Sequence, residues 1–265
     1  MIIDADTHIS PTGEDSRAIT IDDLLCRMDR AGVDKALTWL RPPYMREIDE
    51  SNAYVYQATQ QHPDRILGFG WADPRLGLDK ARDAVKRCID DYGFYGVKLN
   101  GAQNSFYIDD PEISLPIVEE IAKTGKLLAF HIGTDAFEAT HPFRAAKVAR
   151  MLPEVQILMA HMGGVGYADL SNAAIEMAQE CSNLTLIGSA VRSVAVLKAI
   201  KVLGAGRVCF GSDTPFALMH VEVAKYEALL DGEVTLEEEQ MVMAGNIARL
   251  MGLDIEHEIP KTRQN

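Results

Sequence analysis

Short β-branched runs alternate with amphipathic segments along the whole chain, and this alternation limits the possible folds more than any other feature. The predicted strands cover residues 2–6, 34–40, 66–71, 96–100, 127–132, 155–161, 184–188 and 207–212. Helical patterns follow them near residues 20–31, 50–61, 78–92, 111–124, 142–152, 168–181, 192–204 and 218–230. Such alternation predicts a parallel sheet with crossover helices, and about eight repeats close an α/β (β/α)8 TIM barrel.

An open, doubly wound sheet is the alternative fold, but no glycine-rich phosphate loop follows the first predicted strand. The length of 265 residues and the hydrophobic content of 47% suit one barrel. We therefore predict a single TIM-barrel domain over residues 1–265. A C-terminal helix at 235–252 should pack on the barrel, and residues 260–265 should form a frayed tail.

The charge of the chain restricts its partners. Acidic residues outnumber basic ones by 39 to 26, a formal net charge of −13, which argues against binding to nucleic acid or to an anionic membrane. No apolar run approaches the roughly 18 residues of a membrane span, and no signal peptide is recognised. The four cysteines have no paired spacing and are interpreted as reduced core residues. We expect a cytoplasmic protein with a small-molecule substrate, in which pairing into a homo-oligomer remains open.

Ligand-type side chains stand at the ends of four predicted strands: Asp6 and His8, His131, His161, and Asp213. Residues two apart on a strand share a face, with Cα atoms about 6.6 Å apart, so Asp6 and His8 can reach one cation. Taken singly, an Asp or His in such a place is often a turn former or a helix cap. In a TIM barrel, however, the C-terminal ends of the strands meet at one mouth, where catalytic groups lie. The set together predicts a site for a divalent metal ion.

Several segments also carry a family resemblance. They are Ile-Asp-Ala-Asp-Thr-His at 3–8, Gly-Val-Lys-Leu at 96–99, His131, His-Met-Gly-Gly at 161–164, Gly-Ser-Asp-Thr-Pro at 211–215 and Asn-Ile-Ala-Arg-Leu-Met-Gly-Leu at 246–253. With these motifs the chain resembles the amidohydrolase superfamily, in particular the amidohydrolase-2 branch. That branch contains metal-dependent hydrolases, lactonases and non-oxidative decarboxylases such as aminocarboxymuconate semialdehyde decarboxylase.

The resemblance implies one divalent ion, with Asp6, His8, His131 and Asp213 as its ligands. Zinc is the first expectation. The family usually has His-x-His in its first motif, and Asp6 replaces the first of these histidines, which tilts the site toward manganese or magnesium because a carboxylate is a harder donor. Asp213 would also accept a proton from water, and His161 beside the metal would act as acid or base.

Lys98 lies on a predicted strand with its side chain directed into the barrel. We interpret it as a cation that orients a ligand or binds substrate; the alternatives are a carbamylated lysine that bridges two metals and a side chain that reaches the rim. The other candidates for substrate binding follow strands as well: Arg41, Tyr44, Trp71, Asn100 and Arg192, with Phe216 and His220 in addition.

Three functions follow from this set of residues. The first is a metal-dependent hydrolase of a small, carboxylate-bearing ester, lactone or amide, because a bound metal lowers the pKa of water from about 15.7 to near 7. The second is a non-oxidative decarboxylase of an aromatic or muconate-type acid, favoured by the acidic first ligand, by His161 and by arginines that match a carboxylate. The third is a non-catalytic binding protein on the same barrel.

Overall fold

Parallel strands form the centre of the molecule. The computed structural model describes residues 1–11, 19–41 and 47–255. Within these residues the strands are β1 Ile3–Ile9, β2 Lys35–Leu40, β3 Ile66–Gly68, β4 Gly70–Trp71, β5 Gly96–Leu99, β6 Leu127–His131, β7 Ile157–Ala160, β8 Leu184–Ile187 and β9 Val208–Cys209. One sheet has the order β1-β2-β3, and the other has the order β4-β5-β6-β7-β8-β9. The pairings within both sheets are parallel.

The two sheets join into one closed barrel. The predicted strand at 66–71 is interrupted only at Phe69, whose N–H donates to Thr38 O at 2.9 Å, so the chain passes directly from β3 to β4. On the opposite side, the segment after β9 lies against β1, where Ala5 N–H donates to Phe210 O at 3.0 Å. The predicted TIM barrel is therefore confirmed.

Helices surround this barrel. They are α1 Ile21–Ala31, α2 Ile48–Gln61, α3 Leu78–Lys86, α4 Gly101–Asn104, α5 Leu115–Lys123, α6 Phe137–Thr140, α7 Pro142–Met151, α8 Ala168–Glu180, α9 Ser193–Leu203, α10 Met219–Leu230, α11 Leu236–Gln240 and α12 Asn246–Met251. α1 begins at a capping box, in which Thr20 Oγ1 accepts from Asp23 N–H at 3.2 Å and Asp23 Oδ2 accepts from Thr20 N–H at 3.1 Å. None of the described helices combines the length and the apolar composition that a membrane crossing requires.

Four elements illustrate how the structure differs from the prediction. β1 continues to Ile9, beyond the predicted end at residue 6, so Asp6 and His8 lie within the strand. α5 begins only at Leu115, because Asp110 Oδ1 accepts the N–H groups of Glu112 and Ile113 and so holds a turn there. The short helices α4 and α6 were not predicted, and each lies in a loop that follows a strand at the mouth of the barrel.

The interior of the barrel is apolar below the mouth. Trp39 and Phe69 are fully buried there, with ring centroids 5.5 Å apart in an edge-on contact. The C-terminal segment closes the barrel from the other end, since Ile247 and Ala248 of α12 belong to the same buried cluster as the barrel interior. The predicted tail, residues 260–265, lies outside the described residues.

Candidate metal centre

Several of the predicted ligand-type side chains lie close together at the mouth of the barrel. Asp6, His161 and Asp213 each offer a ligand atom, and these three atoms all lie within 4.8 Å of one another. His8 joins them, because its Nε2 is 3.5 Å from Asp6 Oδ1 and 3.5 Å from Asp213 Oδ1. His131 is not part of this close group among the described residues.

The hydrogen bonds of His8 define which of its nitrogens faces the carboxylates. Nδ1 lies 2.7 Å from Leu40 O, and a carbonyl oxygen can only accept, so Nδ1 carries the proton. Nε2 then has a lone pair, to which Trp39 Nε1–H donates at 3.0 Å. Carboxylate oxygens of Asp6 and Asp213 face the same nitrogen: burial would lower the pKa of His8, but these carboxylates outweigh burial and raise it, so Nε2 lies where a proton or a metal cation is favoured.

The carboxylate of Asp6 gives the clearest sign of a metal site. It is fully buried, and its Oδ1 has no hydrogen-bond partner among the described residues. Burial would raise the pKa of this carboxyl, but the charge of Lys98 outweighs burial and holds the pKa below its ordinary value. An ionised, buried oxygen without a donor is costly. The carboxylates and imidazoles around it are ligands of the kind that divalent metal ions bind, so the residues present fit such an ion.

Ser189 links two of these side chains. Its Oγ–H donates to Asp6 Oδ2, and its Oγ lies 3.0 Å from His161 Nδ1. Because the hydroxyl proton is used on Asp6, the oxygen accepts from Nδ1–H, which leaves His161 Nε2 with a lone pair. Burial lowers the pKa of His161 to about 4, so the ring is neutral. The sequence analysis did not select Ser189, although its position just after the predicted strand 184–188 was a usable signal.

Backbone strain is concentrated at the same place. His161 has φ 70°, Met162 φ 35° and Asp213 φ 59°, all in the left-handed region that favours glycine. Such conformations cost roughly 1–3 kcal/mol each and persist at functional sites when the surroundings fix them. The strain marks the two strand ends that present His161 and Asp213.

His131 has a partner of its own. Its Nε2 lies 2.7 Å from Asp135 Oδ1, and its ring meets that of His161 edge-on at 4.6 Å between centroids. Gly133 makes room for this pair, since a Cβ there would lie 2.6 Å from His131 Nε2 and 2.5 Å from Asp135 Oδ1. A carboxylate on one ring nitrogen is common for histidines that bind metal through the other. Asp135 was not predicted, and its only signal is its place in the loop after His131.

Lys98 is buried rather than directed to the rim. Its Nζ lies 3.6 Å from the centroid of the Trp39 ring and 4.0 Å from Asp6 Oδ1. Burial lowers its pKa, while the charge of Asp6 acts in the opposite direction. The position agrees with a cation that orients the carboxylate of Asp6.

A cavity of about 330 Å³ opens above these residues. His8, His131, His161 and Asp213 line it, and so do Lys98, Asn100, Gln103, Asp135, Val165 and Phe216. Among the other predicted substrate residues, Trp71 is buried and donates from Nε1 to Asn104 Oδ1 at 2.9 Å, while Arg192 Nε donates to Val165 O at 3.1 Å. Trp71, Arg192 and the buried Arg41 are not among the described residues that line the cavity. Tyr44 lies outside the described residues.

Known proteins resemble this chain over most of its length. The amidohydrolase family model matches residues 3–253. The 2-amino-3-carboxymuconate-6-semialdehyde decarboxylase of Dictyostelium discoideum is 23% identical, over 82% of this chain and 69% of that protein. The gamma-resorcylate decarboxylase of Rhizobium sp. is 26% identical, over 74% of this chain and 76% of that protein.

A solved structure agrees in fold. The 5-carboxyvanillate decarboxylase of Novosphingobium aromaticivorans, complexed with manganese and 4-hydroxy-3-methoxy-5-nitrobenzoic acid, matches with a TM-score of 0.76 at 18% identity, over 96% of each chain.

The expectation of a hydrolase is wrong, because these similar proteins are decarboxylases. The ligand pattern did not separate the two reactions, since carboxylates and imidazoles at the mouth of a barrel can serve either water activation or the binding of an acidic substrate.

Proposed function

The chain belongs to the amidohydrolase family, and from that premise we propose that it is a metal-dependent decarboxylase of a small aromatic or muconate-type carboxylic acid. The observation that carries the proposal is the group of Asp6, His161 and Asp213, of which His161 and Asp213 line a cavity of about 330 Å³. This volume is in the range of small-molecule sites. The decarboxylases to which the chain is similar support the choice of reaction.

The proposed ligands of the metal are Asp6, His8, His131 and Asp213. Two carboxylates make this donor set harder than one dominated by imidazole, which favours manganese over the zinc that was expected first. The manganese in the 5-carboxyvanillate decarboxylase structure supports this choice. A bound divalent ion supplies positive charge that orients and polarises the oxygens of an acidic substrate.

The reaction requires one proton at the carbon that bears the carboxylate. As that carbon–hydrogen bond forms, the carbon–carbon bond to the carboxylate breaks, its electron pair returns to the conjugated π system of the substrate, and CO₂ leaves. Asp213 is assigned to carry the proton, because its carboxylate lines the cavity and lies 3.5 Å from His8 Nε2. His161, a neutral ring whose Nε2 has a lone pair, is assigned as the general base toward a substrate hydroxyl.

Other side chains hold the substrate in this proposal. Lys98 supplies a cation and Asn100 a polar group, and both line the cavity. Phe216 presents an apolar face, with its ring edge-on to His8 at 5.5 Å between centroids. An acid with one ring therefore has a charged floor below it and an apolar wall beside it.

The experiment measures CO₂ release by manganese-loaded protein from gamma-resorcylate, 5-carboxyvanillate and 2-amino-3-carboxymuconate-6-semialdehyde. In D₂O the product should carry deuterium at the carbon that lost the carboxylate. Asp213→Ala, treated in the same way, is the control for metal-catalysed decay in solution. Absence of CO₂ from all three acids, with manganese bound to the protein, would overturn the proposal.

A further inference from the structure

The seam that closes the barrel has an incomplete ladder of backbone hydrogen bonds. β9 covers only Val208–Cys209, and the chain beyond it pairs with β1 only through an isolated parallel bridge between Thr7 and Thr214. Asp213 N–H donates to Asp6 O at 2.9 Å and His8 N–H donates to Thr214 O at 2.8 Å. The backbone N–H groups of Asp6 and Ser212, just N-terminal to these contacts on each segment, need other acceptors, because an unpaired buried N–H is unfavourable.

The side chain of Asp4 supplies one such acceptor. Its Oδ1 accepts from Asp6 N–H at 3.0 Å and from Ser212 N–H at 2.9 Å. Asp6 is on the first strand and Ser212 adjoins Asp213 after the last, so one oxygen joins parts of the chain that are 208 residues apart. Asp4 is fully buried, as is Ser212.

The two backbones are also pressed together at this point. A Cβ on Gly211 would lie 3.0 Å from Asp6 Cβ and 3.2 Å from Ser189 Cβ, so only glycine allows this approach without displacing a neighbour. The register of β1 against β2 shifts between Asp4 and Thr7, which is where Asp6 lies. The position of Asp6 therefore depends on contacts other than regular strand pairing.

We propose that Asp4 is a positioning residue, whose Oδ1 fixes the carboxylates of Asp6 and Asp213 relative to each other across the seam. The inference rests on the proposed metal site, for which these carboxylates are two of the ligands. Asp4 itself does not line the cavity and has no role in holding the substrate.

The geometry indicates that Asp4 acts as an acceptor rather than as a charge. The two groups that donate to Oδ1 are neutral backbone N–H groups, and Oδ2 has no hydrogen-bond partner within the described residues. Asparagine retains an oxygen in the place of Oδ1, whereas glutamate retains the charge but moves the oxygen by one methylene. These two substitutions therefore separate the two roles.

The experiment measures the dissociation constant for Mn²⁺ by competition with a chelating dye, and the melting temperature of the metal-free protein. Asp4→Asn should bind Mn²⁺ close to wild type, whereas Asp4→Glu and Asp4→Ala should lose about 10- to 100-fold in affinity, the usual effect of removing a group that supports a metal ligand. If Asp4→Ala does not fold, the contrast between asparagine and glutamate still decides.

Asn246→Ala is the matched control. Asn246 is fully buried and its Nδ2 donates to Ala205 O at 2.7 Å and Val208 O at 2.8 Å, away from the ligands. It should lower the melting temperature without changing the affinity for Mn²⁺. Weak binding by Asp4→Asn, or wild-type binding by Asp4→Ala or Asp4→Glu, would overturn the role of Asp4. Wild-type protein that binds no Mn²⁺ would instead remove the proposed metal site itself.

Discussion

Asp6 experiences opposing physical effects. Its carboxylate is fully buried, which by itself favours the neutral acid, yet Lys98 Nζ at 4.0 Å and the hydroxyl of Ser189 favour the anion. Only one carboxylate oxygen is satisfied by hydrogen bonding, since Oδ1 has no such partner within the described residues. A buried anion arranged in this way is better explained by the binding of a cation than by a contribution to the packing of the fold.

Two histidine variants separate binding of the metal from chemistry. His131→Ala should lose the metal and the activity, because Asp135 occupies Nε2 and leaves Nδ1 as the ring nitrogen for a ligand bond. His161→Ala should keep most of the metal and lose about 10²- to 10⁴-fold in rate, the usual contribution of a group that takes part in proton transfer. Metal content by elemental analysis and turnover of the same samples test both statements.

His161 lies close to Asp6 and Asp213, so the alternative to this prediction is that His161 is itself a metal ligand. If His161→Ala loses the metal as completely as His131→Ala, then His161 is a ligand and the assignment must be exchanged. Asp213→Ala is the reference for complete loss, because it removes both a proposed ligand and the proposed proton carrier.

Asp109 predicts a pH dependence of stability outside the site. Burial opposes its charge, but hydrogen bonds from Lys147 at 2.9 Å and Arg144 at 2.6 Å outweigh burial and hold its pKa below the ordinary value. A lowered pKa in the folded state gives stability that is complete above the unfolded pKa of about 3.9 and is lost as pH falls through the folded pKa.

Asp109→Asn should therefore lower the free energy of unfolding by on the order of 1 kcal/mol near neutral pH; the value is small because the basic partners are partly exposed to solvent. The substitution should have no effect at a pH low enough to protonate Asp109 in the wild-type protein. Urea unfolding over a pH series measures this difference. Asp29→Asn, at an exposed ion pair with Arg65, should change little at any pH. A difference for Asp109→Asn that persists unchanged in acid would contradict the prediction.

At the scale of elements, the ends of strands are positioned by helices packed behind them. The hydroxyl of Tyr226 on α10 donates to Gly188 O at 2.7 Å, just after β8 and next to Ser189. Tyr226 is fully buried. The contact sets how closely α10 can approach the strand end that carries Ser189.

Gly188→Ala should disturb this contact, because a Cβ there would lie 2.0 Å from the Tyr226 hydroxyl. We expect a loss of about 1–3 kcal/mol in the free energy of unfolding, typical of overpacking, together with reduced activity through Ser189. Gly245→Ala is the control, since its nearest contact would be 3.5 Å and its φ of −59° is helical. Denaturant unfolding measures the free energy of unfolding of both variants. Equal values for Gly188→Ala and Gly245→Ala would contradict the packing argument.

At the scale of the whole molecule, the metal should bind the folded barrel and not the unfolded chain, because its proposed ligands are brought together only by closure of the barrel. Mn²⁺ at 100 times its dissociation constant should then stabilise the fold by about 2.7 kcal/mol. Thermal melts with chelator and with added Mn²⁺ measure the effect. Asp213→Ala should show no such response, and an equal response in that variant would place the stabilising ion elsewhere.

The sequence by itself predicted the barrel and the strand ends that form its mouth. Alternation of apolar runs and helical patterns is a local property, and parallel strands in a barrel must all end on the same side. The convergence of Asp6, His161 and Asp213, with His8 beside them, could therefore be predicted from residues that are far apart in the chain. The reaction could not, because the same types of ligand serve hydrolases and decarboxylases, and it was the relatives that favoured decarboxylation.

Only the tertiary structure decided which side chains touch. Ser189 joins Asp6 to His161 across separations of 183 and 28 residues, and Asp4 joins Asp6 to Ser212 across the seam. Lys98 lies over Trp39 instead of reaching the rim. These contacts depend on rotamers and on the approach of distant backbones, which packing of the complete barrel determines and no local pattern records.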